Sequence, residues 1–327
     1  MTIRISVNHI YRVSVLLLMA GLLWWELHNK DNLTELWSVF KTRLAESSPG
    51  WLVLTLVFMP ANWFCEVMKW QPSMQQYEPI SKAHAFRAVL AGVSVSLFTP
   101  NRVGEFGGRM LFVAAQNRWK SIIINFVGNL CQFMILLTAG IVGTAWLMYR
   151  FLSIEIYFIY AFLTVGIIGV VLMYGLYFHI RLALPIARRI PLLQKLKPYV
   201  RDFSILEQME QQTLQRILGW TIVRYSLYST QYWLLLRFFG IEVDFWNAMA
   251  GISAIFLLQS SIPLPPVAGL VARGNLAIFV WHYFGANEIS SLAATFTLWL
   301  INLILAALMG AFFLLKVDIS KIKLSNE

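Results

Sequence analysis

The chain has 327 residues, of which 58% are hydrophobic, 15% aromatic and only 13% charged. That is too apolar for a soluble globule of this length, so the sequence reads as an all-α polytopic integral membrane protein. The net charge of +10 is then the surplus of Lys and Arg expected on cytoplasmic loops, and it implies no nucleic-acid partner.

In chain order, apolar windows predict a first span near 12–27, a second near 50–70 and a half-length run near 84–98 with its return near 103–116. Long runs follow near 121–148, 155–178 and 217–238. Another half-length run near 246–261 returns near 267–284, and a last span covers 289–315. A full crossing needs about 20 residues. The long runs supply that length and give six full crossings. The short pairs around Pro100 and Pro263 do not, and each is expected to form a re-entrant broken-helix hairpin, whose irregular backbone must line a cavity or be buried in protein. The first run follows Arg4 and Arg12 but has no small-residue cleavage site after it, and Trp24-Trp25-Glu26 reads as an interfacial belt, so it is kept as a membrane helix.

The connection from His179 to Arg216 carries seven Lys and Arg (Arg181, Arg188, Arg189, Lys195, Lys197, Arg201, Arg216) against three acids and is placed in the cytoplasm. Six crossings then put both termini inside, while the connections around Lys30 to Glu46, Arg150 to Glu155, Glu242 to Asp244 and Asn287-Glu288 face out. A helix-like stretch from Phe203 to Leu214 reads either as a membrane-surface segment or as a plain connector. One domain is expected over 1–327, built of repeat halves at about 50–148 and 217–315. Three crossings separate equivalent spans, so the halves are expected to be inverted, as in transporters whose broken helices meet near the midplane.

Charged side chains concentrate at the first break, Leu97-Phe98-Thr99-Pro100-Asn101-Arg102-Val103-Gly104-Glu105-Phe106-Gly107-Gly108-Arg109. Ionisable groups at bilayer depth cost at least ~2.5–3.5 kcal/mol each, so they face a protein interior or a watery cavity and pair with one another. Pro100 cannot continue the preceding helix but suits the first turn of a new one, with Thr99 as its cap. Arg102, Glu105 and Arg109 would then share one face, with Glu105 between the two arginines. The net positive face and the free N–H groups of the restarting helix suit an anion such as phosphate; an ion-pair cluster that merely holds the kink is the competing reading. Gly104 and Gly108 have the spacing of a close helix contact.

Pro100-Asn101-Arg102-Val103-Gly104-Glu105 resembles the Pro-Gly-Arg-x-Gly-Glu motif of the flippase-like family that includes the transmembrane domain of lysylphosphatidylglycerol synthases, with Asn101 in place of Gly. The resemblance implies a polytopic protein that handles lipids, with this segment as a re-entrant element at the lipid site. The second break, Ser261 to Gly274, resembles the later Pro-x-Pro-Gly-Gly-x-Gly-acid motif in eroded form: Pro266, Val267 and Ala268 replace the glycines and spacer, and Ala272 replaces the acid. Arg273 follows, near the position that mirrors Arg109. An arginine beside a helix break receives an anion if it faces the cavity and snorkels if it faces the interface.

Arg224 lies mid-span in a polar-aromatic stripe that runs to Tyr232, facing the bundle interior as packing or as substrate path. Glu66 and Lys69, about one turn apart, are expected to pair at the cytoplasmic interface. No catalytic or phosphate-loop motif is present, the five histidines are scattered, and Cys65 and Cys131 lie in apolar runs. No enzyme activity, metal or cofactor is expected, and the soluble synthase domain of some relatives is not expected in the twelve residues after Leu315. The expected function is translocation or transport of a lipid with an anionic, phospholipid-type headgroup, held by Arg102, Arg109 and Arg273, with Glu105, Thr99, Asn101 and Arg224 completing the site. A small-anion transporter, or a non-transporting partner of an envelope-lipid enzyme, is the alternative. The expected setting is a bacterial or archaeal cytoplasmic membrane, with a homo-oligomer or an envelope-lipid enzyme as protein partner.

Overall fold

Apolar runs, cut by prolines, glycines and capping side chains, set the element order. The computed structural model of the chain describes Gly21 and residues 33–97, 99–182, 204–261 and 269–317. The expected first span near 12–27, most of the basic 179–216 connection and the centre of the second break, 262–268, lie outside the described residues. Among the described residues all regular structure is helical: α1 Leu33–Glu46, α2 Pro49–Met74, α3 Lys82–Ser96, α4 Gly104–Met110, α5 Arg118–Phe151, α6 Ile156–Phe178, α7 Ser204–Gln208, α8 Gln211–Phe238, α9 Phe245–Ser260, α10 Leu270–His282, α11 Glu288–Trp299 and α12 Leu305–Leu314. A π-helical segment, Leu300–Ile304, joins α11 to α12 without a break in the helix.

Helix starts follow local chemistry. Pro49 opens α2 in the first turn, where its missing N–H costs nothing. Side chains of Ser81, Asp244 and Asn287 accept backbone N–H bonds at the starts of α3, α9 and α11.

Four helices among the described residues are long and apolar enough to cross a membrane: Pro49–Met74, Ala115–Phe151, Ile156–Phe178 and Glu288–Leu314. The chain is thus an integral membrane protein. α6 exposes Tyr157, Phe158, Val165, Ile168, Val171 and Leu172, as a lipid-facing helix does. α8, at 28 residues, has the length of a crossing but is too polar to count by composition, because it buries Arg224, Ser229 and Gln231 inside the bundle. The sequence stretch Lys30 to Glu46, expected as a plain connection, is largely the helix α1, which packs on α11. The helix-like stretch expected from Phe203 to Leu214 is broken: α7 ends at Gln208 and α8 begins at Gln211.

Two short helical hairpins stand beside the long helices. α3 and α4 run antiparallel, since Gly104 abuts Val95 while Gly108 abuts Ala91 and Gly92. A Cβ at Gly108 would lie 2.5–2.7 Å from that backbone, so only glycine allows this approach. α9 and α10 are likewise antiparallel, with Gln259 facing Arg273 and Gly251 against Val280 and Trp281. α3 has 15 residues and α4 seven, so neither alone spans the ~30 Å hydrocarbon layer at 1.5 Å per residue.

Packing is reciprocal between residues 49–151 and residues 211–314. The first arm of each hairpin lies against the last helix of the other segment: α9 against Gly140 and Gly143 of α5, and α3 against Gly310 of α12. Ser94 Oγ donates to the Ala307 carbonyl at 2.6 Å in the latter contact. The leading helices α2 and α8 pack on each other antiparallel, with Thr55 bonded to Gln231 and Asn62 bonded to Arg224. One hydrophobic cluster gathers around α3 and α12 and another around α9 and α11. Trp63, Trp299 and Leu303 of the first and Phe256 of the second meet at a cavity.

Candidate functional site: a buried cation cluster beside a cavity

At the first break the chain does not resume an α-helix at Pro100 as expected. Pro100–Arg102 forms one 3-10 turn, and α4 starts only at Gly104. Thr99 caps this later helix, its Oγ1 accepting from Gly104 N–H at 2.7 Å. Arg102 takes the left-handed region with φ of 59°, a conformation that costs of order 1–3 kcal/mol in a non-glycine residue and is held only by surrounding structure. The returning helix is also shorter than the 103–116 run: it ends at Met110, and a 3-10 turn at Ala115–Asn117 leads directly into α5. Glu78 secures that turn, accepting from Ala114 N–H and Asn117 Nδ2.

Glu105 nevertheless reaches both arginines. It pairs with Arg102 Nη2 and accepts from Arg109 Nη2 at 3.4 Å. Arg109 has a closer partner, Glu66 Oε1 at 2.8 Å. The other oxygen of Glu66 accepts from Lys69 Nζ at 2.9 Å and from Arg224 Nη1 at 2.6 Å. Glu66 and Lys69 are each only 2% exposed, so the pair expected at the interface is instead the centre of a buried network. Arg224 also donates to Gln132 Oε1 at 2.6 Å and to Asn62 Oδ1 at 3.0 Å, and its guanidinium lies 5.2 Å from the Trp63 ring centre. Asn62 Nδ2 donates to Asn302 Oδ1 at 2.9 Å. α2, α4 and α8 are therefore tied through one carboxylate, and Gln132 of α5 and Asn302 of the π-helical segment join the network through Arg224 and Asn62.

Beside this network lies a cavity of about 420 Å³, within the range of small-ligand sites. Arg102, Arg224 and Arg273 line it together with Asn62, Gln132, Gln259 and Asn302. Trp63, Phe133, Tyr225, Tyr228, Phe256 and Trp299 supply the aromatic part of the wall, and the Tyr228 and Phe256 rings stack at 4.9 Å. No carboxylate lines it among the described residues. Among the described residues Arg273 meets a neutral acceptor alone: with its amide oxygen toward the guanidinium, Gln259 accepts from Nε at 2.8 Å and Nη2 at 3.1 Å. Arg102 Nη2 is taken up by the ion pair with Glu105, while its buried Nε holds no hydrogen bond among the described residues. Buried donors of this kind normally find a partner.

Among the described residues the cluster holds five cations, Lys69, Arg102, Arg109, Arg224 and Arg273, against two carboxylates, Glu66 and Glu105, and Arg273 pairs with neither acid. The surplus is cationic and points at the cavity. Arg109, 1% exposed and bonded to both acids, stands behind the wall and is not part of the lining. The side chain of Asn101 lies outside the described residues. Arg273 comes from the second break and Arg102 from the first, so the two breaks share one cavity.

Several contributors escaped the sequence reading: Asn62, Gln132, Gln259 and Asn302, and Glu66 in its central role. The available signal was a polar side chain within or at the end of a long apolar run. Asn302 sits in the π-helical segment, where one extra residue in the turn shifts the register of the helix face.

No curated protein and no solved structure matches the chain. A family match, described as the lysylphosphatidylglycerol synthase TM region, extends over residues 11–310. It takes in both hairpins, the buried network and every residue that lines the cavity, and the chain belongs to that family.

Proposed function

We propose that the protein binds the anionic headgroup of a membrane lipid in the cavity between its two breaks and carries the lipid between leaflets, without catalysing a reaction. The observation that carries this reading is the set of three arginines, Arg102, Arg224 and Arg273, on a cavity lined by no carboxylate among the described residues. Each charge-assisted bond to a phosphate is worth ~1.5–3 kcal/mol. The cavity also touches Phe133, which is 43% exposed on a lipid-facing helix, and such an opening suits a lipid better than a fully soluble anion. Protein purified in a mild detergent from a membrane of mixed composition should therefore retain anionic lipid near one molecule per chain. Retention of zwitterionic lipid in membrane proportion would refute the reading.

The same reading makes the halves an inverted repeat and the hairpins re-entrant from opposite faces. Its support is the antiparallel packing of α2 on α8, the reciprocal hairpin contacts and the shortness of the hairpin arms. In this arrangement the 110–117 turn is cytoplasmic and the 283–288 turn external. Single cysteines at the exposed positions Gln116 and Glu288, in a chain lacking Cys65 and Cys131, should then react with impermeant reagent from opposite sides of sealed vesicles. Reaction from one side at both positions would overturn the inversion.

A further inference from the structure

A second hollow, of about 640 Å³, runs along the outer surface between α5, α8 and α9. Its walls include Ile135, Val142 and Trp146 of α5, Ile222 of α8, and Trp246 and Ala250 of α9. No charged side chain lines it among the described residues. Gly143 forms part of its floor, where a Cβ would collide with the Ala250 carbonyl, so the groove owes its depth to that glycine. Val142, Trp146, Ile222 and Trp246 are exposed, as expected where hydrocarbon rather than protein covers them. The polar groups at one end satisfy each other, Trp146 Nε1 donating to Asn247 Oδ1 at 2.8 Å.

The groove and the cationic cavity adjoin. Tyr225 lines the cavity, Ser253 lines the groove, and the Tyr225 hydroxyl donates to Ser253 Oγ at 2.9 Å. On α5 the cavity takes Gln132, Phe133 and Leu136 while the groove begins at Ile135, so the two share one helical turn. From Ile135 to Trp146 the groove measures about 16 Å at 1.5 Å per residue, close to half of the ~30 Å hydrocarbon layer and hence to the acyl length of one leaflet.

We infer that the groove seats one acyl chain of the lipid whose headgroup occupies the cavity, with the Tyr225–Ser253 pair as the neck between them. This rests on the reading of the cavity as an anionic headgroup site and adds that the ligand is chosen for its tail as well as its charge. In a hydrocarbon setting the gain comes from shape and van der Waals contact, not from escape from water. A bulky side chain in the groove should therefore cost lipid affinity without touching the cation cluster.

The test uses the full chain in detergent with two probes, dioleoylphosphatidylglycerol and glycerol 3-phosphate, against wild type, Val142→Trp, Ile222→Trp and Arg273→Gln. Both tryptophan substitutions fall on exposed positions that the bundle does not need for packing. They should weaken the lipid by about fivefold or more, and leave glycerol 3-phosphate at its wild-type affinity. Unchanged lipid affinity in both variants would overturn the groove, and so would an equal loss of both probes. The headgroup reading fails separately, if Arg273→Gln binds both probes as wild type does.

Discussion

Glu66→Ala should destabilise the protein by about 3–5 kcal/mol, the usual cost of removing one partner from a buried ion pair. The residue is 2% exposed and its two oxygens hold Lys69, Arg109 and Arg224. Without it three cations sit close together with only Glu105 near Arg109, and their mutual repulsion is poorly screened away from water. Glu66→Gln keeps an acceptor but loses the charge, so it should fall between wild type and alanine. Glu105→Gln should cost less than either, because Arg109 keeps Glu66 and the Arg102 side chain is 32% exposed. The check is the apparent melting temperature in detergent together with membrane expression. The order wild type, Glu105→Gln, Glu66→Gln, Glu66→Ala is expected; Glu66→Ala as stable as wild type would show that the network is not what joins α2, α4 and α8.

Double substitution separates repulsion from lost packing. Arg224→Gln added to Glu66→Gln removes one of the stranded cations and should recover part of the loss. Simple addition of the two losses would mean that the side chains act independently.

The break at Pro100 was legible because its signals are local: a proline that cannot continue a helix, a threonine positioned to cap and charges spaced to meet. The half-length runs were legible because span length is set by the bilayer. What local spacing could not fix was the partner of each charge. Glu66 pairs with Lys69 within its own helix, but Arg109 and Arg224 reach it from helices distant in sequence. Arg109 was read as an anion receptor for the same reason, since its spacing from Arg102 gave no hint that Glu66 would hold it behind the cavity wall.

Backbone irregularities were equally hidden. The delay of α4 to Gly104 and the left-handed Arg102 follow from packing Gly104 and Gly108 onto α3, a tertiary demand. The π-helical segment around Asn302 has no proline or glycine to announce it. The helix α1 did have a sequence signal, Asn32 three residues before Glu35, which is the pattern of a capping box.

The most direct test of the cavity's role is the affinity of Arg273→Gln for an anionic lipid. Arg273 comes from the eroded second break, lines the same cavity as Arg102 and has no carboxylate partner among the described residues. Replacement by glutamine leaves the ion pairs among the described residues untouched and removes the charge offered to the ligand together with the two bonds to Gln259. Loss of one charge-assisted bond to phosphate predicts binding weaker by about tenfold or more, with a zwitterionic lipid much less affected. Arg237, whose guanidinium lies 5.9 Å from the Trp51 ring centre and which does not line the cavity, is the control, and Arg237→Gln should bind as wild type does. Anionic-lipid binding by Arg273→Gln at wild-type strength, or a larger loss in Arg237→Gln, would contradict the account and confine the site to the first break.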